Sequence, residues 1–279
     1  MGIDRNTIAR EVAAHRWKIH GKVTIATHTG ELSIAAQRWR AVWEVGSGAA
    51  LDGVTSLQAA GLTSFDEERL HVSVPHSGHT PVVPGVRGHR LVTRVAGEVV
   101  DAGIPRVRPH VAAIRAAHWA VSDRQAALIL CMTVQQRLAA PRQLADAQKR
   151  VRIRGRAGLV GQMIRDLAGG AQSLGELDFG RLCREHGLPE PSRQVVREGP
   201  SGRIYLDVRW DAVALVVEID GAQHRQGLAV TADNLRRNQL GIEGELVLTI
   251  DLIGLRVQPS AFMQQVIDAF TYLSRRPSR

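Results

Sequence analysis

Two consecutive stretches decide the reading of the C-terminal part: Arg203-Ile204-Tyr205-Leu206-Asp207-Val208-Arg209-Trp210, then Leu215-Val216-Val217-Glu218-Ile219-Asp220-Gly221-Ala222-Gln223-His224. In the first, Ile204, Leu206, Val208 and Trp210 alternate with other residues. Successive side chains of a strand leave on opposite faces, so Asp207 departs with Tyr205 and Arg209, away from that apolar row. The second stretch repeats the pattern, with Leu215, Val217 and Ile219 on one side and Val216, Glu218 and Asp220 on the other. Residues two apart on one face lie roughly 6.5–7 Å apart. Paired as a hairpin, the strands bring Asp207, Glu218 and Asp220 together. Clustered carboxylates repel unless a cation or proton sits among them, and an all-oxygen ligand set suits a hard divalent ion. A single strand acid is more often just solvated, and Asp-Gly is a common turn dipeptide, so the weight falls on the whole string.

That string, Asp…Glu-x-Asp-Gly-x-x-His with Asp207 eleven residues before Glu218, resembles the nuclease core of the PD-(D/E)XK superfamily. It is most similar to the branch of the very-short-patch repair (Vsr) endonucleases. The likeness extends to both sides. Upstream, Ser173-Leu174-Gly175-Glu176 opens a helix running to about His186. Downstream, Asp233-Asn234-Leu235-Arg236-Arg237-Asn238-Gln239-Leu240 leads to Gly244, a strand Leu246–Ile250 and a last amphipathic helix with Phe262, Met263, Val266, Ile267 and Phe270. Over residues 173–272 the resemblance implies a restriction-endonuclease-like three-layer α/β domain hydrolysing DNA phosphodiester bonds with Mg²⁺ or Mn²⁺. It implies that Asp207 and Glu218 hold the metal and that Glu176 supports it.

Position 220 departs from the superfamily signature: it is Asp where the signature has lysine, as is usual in this branch. That lysine orients the attacking water and stabilises charge on phosphate. The chain has three lysines, Lys18, Lys22 and Lys149, all upstream of the nuclease-like region, so no other lysine there replaces it. His224 is the candidate for proton transfer, with Asp220 next in line, and Arg236 or Arg237 for meeting the phosphate. Without such a substitute the site is degenerate.

The chain has 279 residues, enough for about two domains. Apolar residues make up 44% and aromatic residues 4%, so its cores rest on Leu, Val, Ala and Ile. No apolar run approaches the roughly 18 residues needed to span a bilayer, and the N-terminus lacks the apolar segment of a signal peptide. The expected compartment is the cytoplasm, with no membrane partner. Cys131 and Cys183 lie in apolar helical patterns and read as small buried hydrophobes.

The formal net charge of +9 favours a polyanionic partner, and the nuclease resemblance implies that it is DNA. Between Arg137 and Arg165, eight basic residues face one acid, Asp146, so this segment carries +7 of the total. Its centre, Lys149-Arg150-Val151-Arg152-Ile153-Arg154-Gly155-Arg156, is the phosphate-contact candidate, against the plainer reading of a solvated connector.

The N-terminal block reads as a helix capped by Asp4, with Ile3, Ile8, Val12 and Ala13 on one side. A β-branched stretch, Trp17 to His28, is suited to a two-stranded wing. A helix from Leu32 to Val45 follows, with Ile34, Ala35, Trp39, Val42 and Trp43 as its apolar side, then a short helix Ser56–Ala60 closed by Gly61. This order, with the strand Leu70–Pro75, resembles the N-terminal part of AbiEi-like proteins, antitoxins of type IV toxin–antitoxin systems. The resemblance spans roughly residues 1–120 and implies a winged helix-turn-helix that reads DNA. Its recognition helix would cover about Asp4–His15, with Arg5 and Asn6 as base or phosphate contacts. The family's preceding helix is not matched, because Met1 stands almost inside the second one.

Short strands are expected at Leu70–Val74, Gly88–Val92 and Glu98–Val100, punctuated by Pro75, Pro81, Pro84 and Pro105. His71, His76, His79 and His89 match no standard metal-ligand spacing. Helices are expected at Val111–Trp119, after the capping box Ser122-Asp123-Arg124-Gln125, from Pro141, and at Gly158–Leu167, with Gly169-Gly170 as linker.

The chain is therefore expected to be α/β, or α+β overall. Residues 1–62 form a winged-helix-like region, 63–168 an α+β and helical region with the basic connector, and 171–279 the nuclease-like domain. The expected function is that of a metal-dependent endonuclease-like protein. The alternative is a non-catalytic DNA-binding regulator of the type IV antitoxin kind that keeps a degenerate nuclease domain. A homodimer, or a toxin–antitoxin or repair partner, is compatible with either reading.

Overall fold

The computed structural model describes residues 3–78, 80–100, 102–153, 155–169, 177, 179–198, 204–220 and 244–275. The chain is mixed α and β and divides into two compact units, Met1–Ala157 and Gly158–Arg279. The division falls at the start of a helix, ahead of the expected Gly169-Gly170 linker.

The first unit opens with α1 (Arg5–Ala13), whose first turn is capped by Asp4 Oδ1 accepting the Thr7 N–H at 2.7 Å. No α1 side chain is buried. Strands β1 (Lys18–Ile19) and β2 (Ile25–Ala26) form a small antiparallel hairpin. Glu44, on α2 (Ile34–Val45), grips its turn by accepting from the Lys22 and Val23 N–H groups and the Thr24 hydroxyl.

Of the expected apolar side of α2, Val42 is buried and Trp39 half-buried, but Ile34, Ala35 and Trp43 are exposed; the buried face is Ala41, Val42 and Val45 instead. One face of the helix packs on the sheet formed by β3 and β4. Trp43 points elsewhere and stacks on Trp39 with ring centroids 5.0 Å apart.

The unit's five-stranded sheet has the order β5-β4-β3-β7-β6: β3 is Ala50–Leu51, β4 Leu70–Val74, β5 Val86–Arg90, β6 Val99–Val100 and β7 Arg106–Val107. The pairing of Ala50 with Ser73 joins residues on both sides of the expected boundary at 62/63 in one sheet. Helix α3 (Gly53–Ala59) is capped by Asp52. Helices α4 (Pro109–Trp119), α5 (Asp123–Gln135) and α6 (Pro141–Arg150) follow. Ser122 caps α5 by accepting the Gln125 N–H, as its sequence predicts.

Helix α7 (Ala157–Gly169) belongs to the second unit from its second residue on. That unit continues with α8 (Phe179–Glu185), strands β8 (Arg193–Glu198), β9 (Ile204–Trp210), β10 (Leu215–Asp220) and β11 (Leu246–Asp251), and helices α9 (Leu252–Val257) and α10 (Pro259–Ser274). The sheet order is β11-β10-β9-β8; β8, β9 and β10 are antiparallel neighbours and β11 runs parallel to β10. A single 3₁₀ turn, Asp211–Val213, joins β9 to β10, closed by Ala214 in the left-handed region at φ 53°.

One face of this sheet is the core. Leu206, Val208, Trp210, Leu215, Val217 and Ile219 pack against Phe179 and Cys183 of α8, Leu255 of α9, and Met263 and Val266 of α10. Each large side chain so buried contributes about 1.5–3 kcal/mol. Trp210 meets Phe179 and Phe270 edge-on and donates its indole N–H to the Pro189 carbonyl at 3.0 Å. Among the described residues no helix is long and apolar enough to cross a membrane.

Candidate metal centre and basic surface

The register of β9 on β10 fixes the acids. Asp207 stands directly across from Glu218, and Tyr205 across from Asp220. Directly opposed residues share a face, with Cβ atoms about 4.5–5.5 Å apart. Asp207, Glu218 and Asp220 therefore lie on one side of the sheet, opposite the core, as the alternation predicts. All three are buried: Asp207 is 1% exposed, Asp220 6% and Glu218 8%. Burial of charged carboxylates is costly unless cations or hydrogen bonds meet them.

One cation that does so is Arg197, which sequence reasoning missed. Its Nε lies 3.1 Å from Asp207 Oδ2, while its side chain stays 42% exposed. Strand β8 is an exposed edge without a regular apolar row, so no period-two signal marks it. Its register, Val195 opposite Asp207, puts Arg193 and Arg197 on the carboxylate face.

The donor chemistry of this face fits a hard divalent ion: two buried carboxylates in direct cross-strand register, with a third two residues along. Among the described residues no group of three His, Cys, Asp or Glu side chains is gathered to hold a metal. Glu176, His224, Arg236 and Arg237 lie outside the described residues, as does Arg154.

The basic candidates of the first unit divide into two kinds. Arg5 and Asn6 are exposed on the first turn of α1, and Arg150 and Arg152 are exposed at and beyond the end of α6. Arg156 differs in being held within the unit: it pairs with Asp123 at 2.7 Å and donates to the His118 carbonyl at 3.3 Å.

Two other groupings went unread in the sequence. Arg115 is fully buried and donates to Asp52 and to both oxygens of Glu98, each at 2.8 Å. Arg94 adds a second cation on Glu98 at 3.2 Å. Nearby, His71 Nδ1 and His89 Nε2 share a hydrogen bond at 3.1 Å, and the His89 ring lies flat on Trp119, centroids 3.6 Å apart and planes within 5°.

Burial, then the positive charge of His71 and its neighbours, pushes His89 down to about 3, and burial lowers His71 as well. Between pH 6.5 and about 3 the unfolded chain binds the proton that folded His89 refuses, so stability falls on acidification through that window. Burial raises the Asp52 carboxyl, which opposes this trend at the acid end. We expect His89→Phe, which keeps the stack on Trp119, to remove about 1–3 kcal/mol of the loss measured by urea unfolding between pH 7 and 4. An unchanged pH profile would show that His89 is not the titrating group.

No protein-family model and no curated protein matches this chain. One solved structure that resembles it is the crystal structure of the RV2827C protein from Mycobacterium tuberculosis, at 16% identity and a TM-score of 0.41. The match covers 60% of this chain and 65% of that one, so less than two thirds of that protein's length is represented.

Proposed function

We propose that the second unit is a nuclease-like domain of the PD-(D/E)XK kind, of the Vsr-like branch, acting on DNA phosphodiester bonds with Mg²⁺ or Mn²⁺. The observation that carries this reading is the register pairing Asp207 with Glu218 on the buried face opposite the core. The order of a helix, the two acid-bearing strands, a later strand and a closing helix agrees with what the resemblance implies. Asp207 and Glu218 would hold the ion, with Glu176 in support. A bound divalent ion supplies an activated water and stabilises the leaving oxygen. Arg197 places a positive charge beside Asp207, near where phosphate charge must be met. His224 is assigned the proton transfer, and Asp220 follows it as candidate. The test is single-turnover cleavage of DNA with titrated Mn²⁺, comparing the wild type with Asp207→Asn and Glu218→Gln.

A second reading is favoured by two particulars: position 220 is Asp where hydrolysis uses lysine, and Arg197 already pairs with the principal acid. On that reading the chain is a DNA-binding regulator that keeps the fold without the chemistry. The two readings share DNA as partner. In both, the first unit would contact DNA through Arg5 and Asn6 of α1, as a winged helix-turn-helix would, and through Arg150 at the end of α6.

A salt titration separates these contacts from structural arginines. Each phosphate neutralised contributes about −0.9 to the slope of log K against log salt. Arg5→Ala and Arg150→Ala should each flatten the slope by about that amount. Arg156→Ala should leave the slope alone and lower stability, since Asp123 already pairs with it. Equal slopes for all three variants and the wild type would remove these arginines from the interface.

A further inference from the structure

A cavity of about 820 Å³ opens in the first unit, between the end of β5 with the chain that follows it and the irregular segment after α6. Its volume is that of a site for a small organic molecule. Its charged lining is Arg90, Arg115 and Arg152, and no carboxylate lines it. Arg115 is neutralised by Asp52 and Glu98. Arg90 and Arg152 are different: both are exposed, and neither guanidinium has a partner among the described residues. They come from two segments far apart in sequence that this cavity brings together. Thr93 adds a hydroxyl, and Trp119 and Ile153 add apolar surface. Guanidinium groups present paired N–H donors that match phosphate oxygens in a way a point charge does not.

We propose that this cavity binds an organic phosphate of nucleotide size, the phosphate held between Arg90 and Arg152 and the apolar body set against Trp119 and Ile153. Neutral His89, also in the lining, offers hydrogen bonding without charge. All these residues belong to the first unit, so the proposal stands or falls separately from the nuclease reading.

Phosphate could also arrive on a DNA strand, and the test distinguishes the two sources. Calorimetric titrations of the 279-residue chain would use ADP, adenosine and a short duplex DNA without terminal phosphates. The proposal expects ADP to bind in the micromolar range and adenosine at least about tenfold more weakly. It expects Arg90→Ala and Arg152→Ala each to weaken ADP about tenfold or more, with Tm values near that of the wild type. Val92→Asp, at an exposed position of the same lining, should weaken ADP too by adding a negative charge without touching either arginine. Saturating duplex should leave ADP binding in place. The proposal is overturned if ADP fails to bind, if both arginine variants bind it like the wild type, or if duplex displaces it with the same arginine dependence.

Discussion

Arg115→Ala should lower the stability of the first unit by about 3–5 kcal/mol, the cost of leaving buried charge uncompensated. Arg115 sits on α4 at 1% exposure and joins two buried carboxylates, Asp52 at the start of α3 and Glu98 just before β6. Asp52 also accepts the Gly53 N–H at 2.7 Å, and Glu98 accepts the Val95 N–H and the Arg94 guanidinium. Removing Arg115 leaves two buried acids facing Arg94 alone within this network. The Asp52 carboxyl, already raised by burial against the pull of Arg115, would lose that pull. Against a typical domain stability of about 5–15 kcal/mol, such a loss is severe. Four of the five tryptophans, Trp17, Trp39, Trp43 and Trp119, lie in this unit, so urea unfolding followed by tryptophan fluorescence reports on it. Arg115→Met combined with Asp52→Asn and Glu98→Gln should recover part of the loss, because the stranded charges go with the arginine. A single-variant loss below about 1 kcal/mol would contradict the network's role.

Asp207→Asn and Glu218→Gln should each slow metal-dependent DNA cleavage about 10³-fold. A bound metal ion contributes several kcal/mol of transition-state stabilisation, and each 1.36 kcal/mol is tenfold in rate. Both substitutions are nearly isosteric. The two carboxylates lie on the face opposite the core, so the packing around Leu206 and Val217 should persist. His224→Ala should cut the rate about 10²–10⁴-fold while leaving metal affinity nearly unchanged, the pattern of proton transfer rather than ligation. Variants that cleave like the wild type would remove the corresponding roles. A wild type without metal-dependent cleavage on any DNA would leave the regulator reading in place.

The carboxylate face was legible because its strands alternate cleanly. Leu206, Val208 and Trp210 on β9 and Leu215, Val217 and Ile219 on β10 each define a core side, which fixes the side left to Asp207, Glu218 and Asp220. The helices after Ser122 and Pro141 were legible because capping and proline chemistry is local. What escaped is nonlocal. Strands β3 and β7 are two residues long, too short for any period. Arg115 sits in an alanine-rich helix and meets Glu98 and Asp52 only through tertiary packing, 17 and 63 residues away in sequence. Arg197 lies on an exposed edge strand and reaches Asp207 only through the register of β8. Trp43 looked like core because it follows the helical period, yet it belongs to a second side of α2 that the sheet does not cover.

The central claim, that Asp207 and Glu218 hold a divalent cation, is tested most directly by anomalous diffraction from crystals soaked in Mn²⁺. The account predicts an anomalous peak within roughly 2–2.5 Å of a carboxylate oxygen of each residue, lost in Glu218→Gln crystals under the same soak. Arg197 should then be turned away from Asp207. Mn²⁺ bound elsewhere with none at the Asp207–Glu218 pair, or a peak there that survives Glu218→Gln unchanged, would contradict it.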